Sequence, residues 1–268
     1  MKRISIFVSK SSSINHNNMK KSILFAIVML ALSLSASAQF RGFTFGMKMG
    51  PSFDWAGSKN NTLQNEGTRM GFRWGLVADY YFSENYAIVT GLNVNYLRGH
   101  YSYDDKMAFA LDSVTNYYAM GNLDRLYKAT TFEIPIGLKM VTEEFGPFSF
   151  FAQVGGSVGY TRKALAKDTF TGTGEDAAYQ YSDEEYVSAR PQYNPIHVGL
   201  NVAVGGQFII KGSTRAFADL YYSRDLLNGI EMIKYSRYYA GQKSDEMRRP
   251  ENLDYRQNIF GVEVGILF

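Results

Sequence analysis

The sequence predicts an all-β fold, a single eight-stranded antiparallel transmembrane β-barrel with short periplasmic turns and four long extracellular loops. Three observations predict it. Apolar and polar residues alternate with a period of two in eight separate segments, without a helical stripe of useful length. The connections between these segments alternate between short and long. Aromatic residues make up 15% of the chain, enough for belts at two membrane interfaces.

The start of the chain is typical of a secretory signal peptide. Two lysines follow Met19, an apolar run comes next, and Ala36-Ser37-Ala38 is a small-residue cleavage site. The run is too short for a spanning helix. We therefore interpret 1–18 as a spurious or extended N-terminus, 19–38 as the signal peptide and 39–268 as the barrel domain.

Charge and cysteine content exclude several classes of function. Five of the 28 lysines and arginines precede residue 39, which leaves 23 against 25 acidic residues in the predicted mature chain. The basic pI therefore belongs to the N-terminal segment and indicates no nucleic-acid partner. Without cysteine there is no disulfide and no lipoprotein anchor.

The first four predicted strands set large apolar residues against polar or small ones. The first alternates Phe and Met with Thr, Gly and Lys, and the second alternates rings and aliphatic residues with Arg and Asp. The third faces its apolar set away from two asparagines, and the fourth faces its set away from Glu and Lys. They cover 43–50, 72–82, 86–96 and 132–140.

The last four predicted strands repeat the pattern. The fifth sets Phe, Ala and Val against Ser, Gln and Gly, and the sixth sets β-branched residues against His, Asn and Gly. The seventh is short, and the eighth ends the chain on Phe268 with Glu263 on its opposite face. They cover 148–160, 196–208, 216–222 and 258–268, and the long connections cover 53–68, 99–129, 163–193 and 228–254.

One residue conflicts with an uninterrupted ladder. Pro135 lies in the middle of the fourth strand, where it has no N–H to donate, and a closed barrel has no free edge for it. We predict a β-bulge or a local break there.

The fourth strand reads Phe-Glu-Ile-Pro-Ile-Gly-Leu-Lys over 132–139. With the Gly-rich first strand, the signal peptide and the terminal Phe268, it resembles the PorT-like outer-membrane β-barrel family of Bacteroidetes. The resemblance implies a small barrel in the bacterial outer membrane, acting as a structural or interaction component that supports protein secretion or surface assembly. We expect outer-membrane lipid and lipopolysaccharide around it, and the strand ending in Phe268 to engage the barrel-assembly machinery.

The lumen-facing positions carry a nearly balanced set of charges. An eight-stranded barrel is just wide enough for its own side chains to fill. We therefore predict a plug of polar side chains that hydrogen-bond and pair with one another, and that conducts no ions. A small-solute pore is the alternative. The predicted network comprises Lys48, Arg73, Asp79, Glu133, Lys139, His197, Asp219 and Glu263.

A catalytic alternative rests on two residues beyond the third strand. His100 and Ser102 share a face of an extended chain, and this spacing resembles the His-x-Ser of outer-membrane lipid A deacylases, in which histidine activates serine. The Tyr-Asp-Asp that follows departs from that family. We predict a protein that is not an enzyme, with a lipid-A-modifying activity as the alternative.

The fourth loop combines basic residues with tyrosines. Such a patch could contact lipopolysaccharide phosphates or carboxylates of a protein partner, and an ordinary loop on the outer-leaflet headgroups is the alternative. No Cys/His metal spacing, phosphate loop or nucleotide fingerprint is present, so we predict no metal and no cofactor. The candidate patch comprises Tyr235, Arg237, Tyr238, Tyr239, Arg248 and Arg249.

Overall fold

The structure, a computed structural model, describes residues 42–59, 63–111, 116–230, 233–239, 242–248 and 254–268. The predicted signal peptide and the segment before it lie outside these residues. Eight strands pair antiparallel in chain order, and the last pairs with the first, which confirms the predicted closed barrel. The barrel strands are β1 Phe43–Gly57, β2 Arg69–Ser83, β3 Tyr86–Ala110, β4 Asn116–Val141, β5 Phe148–Gly172, β6 Ile196–Lys211, β7 Thr214–Asp225 and β8 Arg256–Leu267.

The long connections contain shorter elements. Two-residue to seven-residue strands add to the edges of the barrel wall above the membrane, and two single 3₁₀ turns join them. No helix among the described residues is long and apolar enough to cross a membrane. These strands are Gln64–Asn65, Gln180–Ser182, Val187–Ser188, Ile233–Tyr239 and Gln242–Arg248, and the turns are Gly174–Asp176 and Arg190–Gln192.

Two rings of exposed aromatic residues mark the membrane boundaries. The periplasmic ring contains Phe43, Tyr80, Phe82, Tyr86, Phe148 and Phe208, and the outer ring contains Phe53, Phe72, Tyr96, Tyr160 and Phe260. Ten residues separate the rings on β1 and on β3, which is ~25 Å across the membrane for tilted strands. The membrane-spanning parts of the strands are therefore 43–55, 70–82, 86–96, 132–140, 148–160, 196–208, 216–222 and 260–268.

Three strands continue far beyond the outer ring, so the predicted bounds of the connections 99–129 and 163–193 were too wide. β3 pairs with β4 up to Ala110 and Asn116, and β4 pairs with β5 up to Gly121 and Gly172. From Leu97 onward, β3 adds ~45 Å of strand at about 3.3 Å per residue. We call the part of β3, β4 and β5 beyond the outer ring the extracellular sheet.

The extracellular sheet has a hydrophobic core of its own. Its inward side chains are alanines, tyrosines, Leu and Phe, which pack against residues from the other long connections. Short strands cover its edges, since Gln64–Asn65 pairs with β3 while Gln180–Ser182 and Val187–Ser188 pair with β5. Covered edges protect a sheet from pairing with other chains. The sheet is therefore a packed structure and not a set of open loops.

The prediction of a local break at Pro135 is confirmed. The β3–β4 ladder is interrupted opposite Pro135 and Ile134 and then resumes in the same register. The Thr90 hydroxyl donates to the Pro135 carbonyl at 2.9 Å. A register shift lies elsewhere, between Thr130 and Thr131 of β4, where Arg162 is the extra residue on β5.

Candidate functional site

The outer half of the lumen holds a hydrogen-bonded ion cluster. The Arg73 Nε donates to Asn95 Oδ1 at 2.6 Å, and its Nη2 lies 3.4 Å from Glu133 Oε2. Glu133 also accepts from Asn95 at 2.7 Å and from the Ser157 hydroxyl at 2.7 Å. The Arg73 guanidinium lies 4.2 Å from the ring centroid of Tyr221. Every charge in this cluster thus has an opposite charge or a hydrogen-bond partner beside it.

The inner half of the lumen is crossed by two lysine–carboxylate pairs. Lys139 Nζ lies 2.7 Å from Asp79 Oδ2, with the ring centroid of Phe151 at 4.5 Å. Lys48 Nζ lies 2.8 Å from Glu263 Oε2. The other Glu263 oxygen lies 3.8 Å from the Arg73 Nε, so this pair joins the outer cluster.

The eight predicted lumen residues all lie on the inner face of the barrel, and six of them are joined in these ion pairs. His197 packs over Gly159, where an added Cβ would lie 2.0 Å from its Nε2. Asp219 is the cross-strand partner of Glu263, and its Oδ1 has no hydrogen-bond partner among the described residues. The structure therefore brings the predicted network together, with His197 and Asp219 at its margins.

Two of the cavities in the lumen are only large enough for water. One of about 20 Å³ lies beside Lys139 and Asp219, and one of about 30 Å³ lies between Glu133 and the residues above it. A cavity of about 10–15 Å³ on this scale holds one water molecule. These spaces have room for one or two waters each, and ion pairs lie beside them.

Four tyrosines lie above the lumen and form what we call the tyrosine cap, namely Tyr101, Tyr127, Tyr193 and Tyr255. The Tyr127 and Tyr193 rings stack with centroids 4.3 Å apart, and the Tyr101 and Tyr255 rings lie 5.0 Å apart. The Tyr101 and Tyr193 hydroxyls bond to each other, and the Tyr255 hydroxyl donates to the Gln257 amide oxygen. Burial raises the pKa of all four phenols, so they stay neutral.

A buried arginine fixes the extracellular sheet to its connections. Arg125 of β4 is fully buried and makes a two-pronged ion pair with Asp168 of β5, at 2.7 and 2.6 Å. Its Nη1 donates to Gln192 Oε1 at 2.7 Å. The Asp168 backbone N–H donates to Asp183 Oδ2 at 3.0 Å. One cation thus ties two strands to the connection between β5 and β6.

Arg125, Asp168 and three of the cap tyrosines fall in segments that the sequence pattern predicted to be loops, and Tyr255 lies directly after one, so none of them was predicted to be a site residue. A signal was present. From Ala119 to Ala129 every second residue faces inward, and the same holds from Ala164 to Phe170. Apart from Leu123, the inward residues are alanine, glycine and charged or aromatic residues, a composition that does not mark a membrane-spanning strand. Only the period of two indicated that the strands continue.

The two residues of the catalytic alternative have separate partners. His100 Nε2 lies 2.8 Å from Asp124 Oδ2, and its Nδ1 lies 3.0 Å from an Arg69 guanidinium nitrogen. The Ser102 hydroxyl donates to Glu66 Oε1 at 2.6 Å. Residues two apart on a strand are ~6.6 Å apart along it. Nucleophilic catalysis requires a hydrogen bond between the histidine and the serine, and these contacts instead join each of the two residues to a different partner.

The predicted loop patch lies mostly outside the described part of the chain. The structure gives the backbone of Ile233–Tyr239 and Gln242–Arg248 as a hairpin, whose first strand pairs in parallel with β3 at Ala108. The side chains of Tyr235, Arg237, Tyr238, Tyr239 and Arg248, and all of Arg249, are not among the described features. Within the described residues, no group of three or more His, Asp or Glu side chains could hold a metal ion.

A closed eight-stranded wall with an apolar band between two aromatic rings is the architecture of bacterial outer-membrane barrels. A family model described as "Outer membrane protein beta-barrel domain" matches residues 34–226. The chain belongs to this family. Members of the outer membrane protein beta-barrel family lie in the bacterial outer membrane, and this chain is therefore an outer-membrane protein. No curated protein matches the sequence.

Several solved barrels are similar to this family member. Ail, the attachment invasion locus protein of Yersinia pestis, is 11% identical, covers 85% of this chain and 99% of its own, and has a TM-score of 0.34. OprG from Pseudomonas aeruginosa is 10% identical, with 85% and 96% coverage and a TM-score of 0.35. The outer membrane protease OmpT from Escherichia coli is 9% identical, with 86% and 97% coverage and a TM-score of 0.30. Similarity this low carries no information about function.

Proposed function

We propose that this protein is a non-enzymatic structural and interaction component of the outer membrane, which holds a protein partner on its extracellular sheet. The observation that carries the proposal is the sheet itself. Its strand β3 continues for ~45 Å beyond the outer aromatic ring. The sheet has its own hydrophobic core and is held together by the buried Arg125–Asp168 ion pair. Packed elements of this kind present a binding surface with little loss of conformational entropy.

The filled lumen supports an interaction role over a pore. Ion pairs involving Arg73, Lys139 and Lys48 cross the barrel at successive heights, and the tyrosine cap lies above them. A selective pore needs a continuous water path lined by a surplus of one charge. The contacts instead neutralise one another.

The outer end of the extracellular sheet offers a surface suited to a protein partner. Leu111 is 59% exposed, Met120 46%, Tyr118 43% and Tyr117 37%. Tyrosine and methionine are enriched in the cores of protein–protein interfaces. We call these four residues the sheet tip. Burying their apolar surface against a partner would remove it from water, which contributes favourably to the free energy of binding.

The resemblance to the PorT-like family supports a finer version of the proposal, in which the partner belongs to a protein-secretion or surface-assembly system. We also propose that the loop patch named above contacts lipopolysaccharide, and that the barrel-assembly machinery engages the C-terminal strand. Phe268 supports the last point, because its ring is 45% exposed at the periplasmic end of a strand whose backbone pairs with Phe45.

The proposal is tested by mild-detergent extraction of native outer membranes, affinity capture and mass spectrometry. The wild type is expected to retain a partner in stoichiometric amount, and the double variant Tyr118→Ser/Met120→Ser is expected to lose it. Thr171→Ala, an exposed change on the same face of the sheet, is the matched control and should retain the partner. A wild-type barrel that is captured alone would overturn the proposal.

Two further measurements test the non-enzymatic, non-conducting part. Planar bilayers containing the wild type should show no steady openings, and lipid A from cells expressing it should keep its acyl chains. A steady conductance, or an acyl loss abolished by Ser102→Ala, would each contradict this part of the proposal and leave the partner experiment unaffected.

A further inference from the structure

Four cations lie together on the outward face of the extracellular sheet, directly above the outer aromatic ring. Arg98 of β3, Lys128 of β4, and Arg162 and Lys163 of β5 make up what we call the basic arc. Arg98 and Lys128 are direct cross-strand partners. Lys163 is the partner of Thr130, two residues from Lys128 on the same face. Since adjacent strands are about 4.8 Å apart, the arc is ~10 Å wide across three strands.

The height of the basic arc is that of the lipid headgroups. Arg98 follows the ring residue Tyr96 by two positions, and Arg162 follows the ring residue Tyr160 by two. Aromatic rings of outer-membrane barrels lie at the membrane–water interface. Long basic side chains two residues farther out therefore reach the layer that contains the phosphate groups of the outer leaflet.

The charges of the basic arc are largely uncompensated within the described part of the protein, with Arg98 attracted to the buried Asp54, which accepts the Arg98 backbone N–H at 2.9 Å. None of its four side chains is within ion-pair distance of a carboxylate there. Lys128 Nζ lies 3.6 Å from the Tyr186 ring centroid, which leaves its charge in place. Like charges directly opposite each other on paired strands destabilise a sheet. The Arg98–Lys128 pair thus has an unfavourable interaction that a bound anion would remove.

The β-bulge adds a second and independent observation. At the bulge two consecutive residues, Arg162 and Lys163, are both exposed, whereas elsewhere on β5 the inward residue of each pair is shielded. Bulges commonly redirect a side chain next to a functional site. Here the bulge adds a cation to the outward face beside the ring residue Tyr160. A further cation, Arg190, lies 5.5 Å from the Tyr160 ring centroid.

We propose that the basic arc binds the phosphorylated headgroup of an outer-leaflet glycolipid. Arginine and lysine donate charge-assisted hydrogen bonds to phosphate oxygens, and several donors around one headgroup act together. The acyl chains of the same lipid would lie against the apolar band below, because the arc adjoins it. This site shares no residue with the loop patch, for which contact with lipopolysaccharide is proposed above, or with the sheet tip, so it adds a separate lipid-binding site to the proposed protein-binding role.

The test uses the purified full-length barrel in detergent with one probe, diphosphorylated lipid A, followed by native mass spectrometry. Arg162→Gln/Lys163→Gln removes two exposed cations of the arc, and Lys106→Gln/Lys211→Gln removes two exposed cations away from it. The arc variant is expected to bind the probe on the order of 10- to 30-fold more weakly. This is the combined effect of two basic residues, each of which weakens binding about fivefold when it is removed from an anionic headgroup. The control variant should bind as the wild type does.

Two further probes test whether binding requires the phosphate groups and whether it requires the lipid that carries them. Dephosphorylated lipid A should bind the wild type at least as weakly as the phosphorylated lipid binds the arc variant, which keeps Arg98 and Lys128. Inorganic phosphate at the same concentration should not displace the lipid. Equal affinity of both double variants, equal binding of the dephosphorylated lipid, or displacement by inorganic phosphate would each overturn the proposal. If the double variant does not fold, Arg98→Gln, an exposed single change, provides the same comparison.

Discussion

Replacing Arg125 with Met should loosen the extracellular sheet while the membrane-spanning barrel stays folded. Arg125 is fully buried, and Asp168 beside it keeps only 11% of its side chain exposed. Without the guanidinium, Asp168 loses both charge-assisted hydrogen bonds and remains a largely buried carboxylate. Removing one partner of a buried ion pair costs about 3–5 kcal/mol. The partial exposure of Asp168 places the expected cost near the lower end of that range.

The double variant Arg125→Met/Asp168→Leu separates the charge effect from the packing effect. It removes both ions, so no uncompensated charge remains, and replacing a buried pair by apolar residues is often neutral. Its main remaining cost is the Gln192 amide oxygen, which loses its donor, at about 1–3 kcal/mol. We therefore expect the double variant to be more stable than Arg125→Met alone.

Hydrogen exchange of the sheet amides measures the effect, because local opening has its own free energy. A cost of about 3 kcal/mol corresponds to opening on the order of 100-fold more often. Fluorescence of Trp55 and Trp74, which lie in the membrane-spanning parts of β1 and β2, reports on the barrel and should not change. Unchanged exchange in Arg125→Met, or a double variant that opens at least as often, would refute the reasoning.

Two further predictions follow from packing and titration. Gly50→Ala should prevent barrel closure, because the added Cβ would lie 1.8 Å from the Val262 carbonyl oxygen. The expected result is loss of the heat-resistant folded band on gels. The control Gly206→Ala, whose added Cβ would have no atom nearer than 3.7 Å, should fold normally. In an alkaline absorbance titration the four phenols of the tyrosine cap should remain neutral well above pH 10, because burial raises their pKa. The folded cap then keeps protons that the unfolded chain releases, so its stability should fall as pH rises through about 10, with earlier proteolysis of the extracellular sheet. A Gly50→Ala variant that folds would contradict the first prediction. Phenols of the tyrosine cap that ionise together with the exposed tyrosines near pH 10 would contradict the second.

Strand number, strand order and the inner face of the barrel could be predicted from the sequence because they depend on local patterns. A period of two assigns each residue to a face without reference to any distant residue, so Arg73, Glu133 and Lys139 were placed in the lumen correctly. The interruption at Pro135 was predictable for the same reason, since a missing N–H is a property of that residue alone.

The partners within the lumen and everything above the membrane were decided by tertiary structure. Whether Glu133 meets Arg73 or another cation depends on the register of β2, β3 and β4. The core of the extracellular sheet forms only when residues from separate connections meet, as Tyr101, Tyr193 and Tyr255 do. Alanine, glycine and tyrosine alternate there without the lipid-facing residues that mark a spanning strand. Local pattern determines which way a side chain points, and long-range closure determines what it contacts.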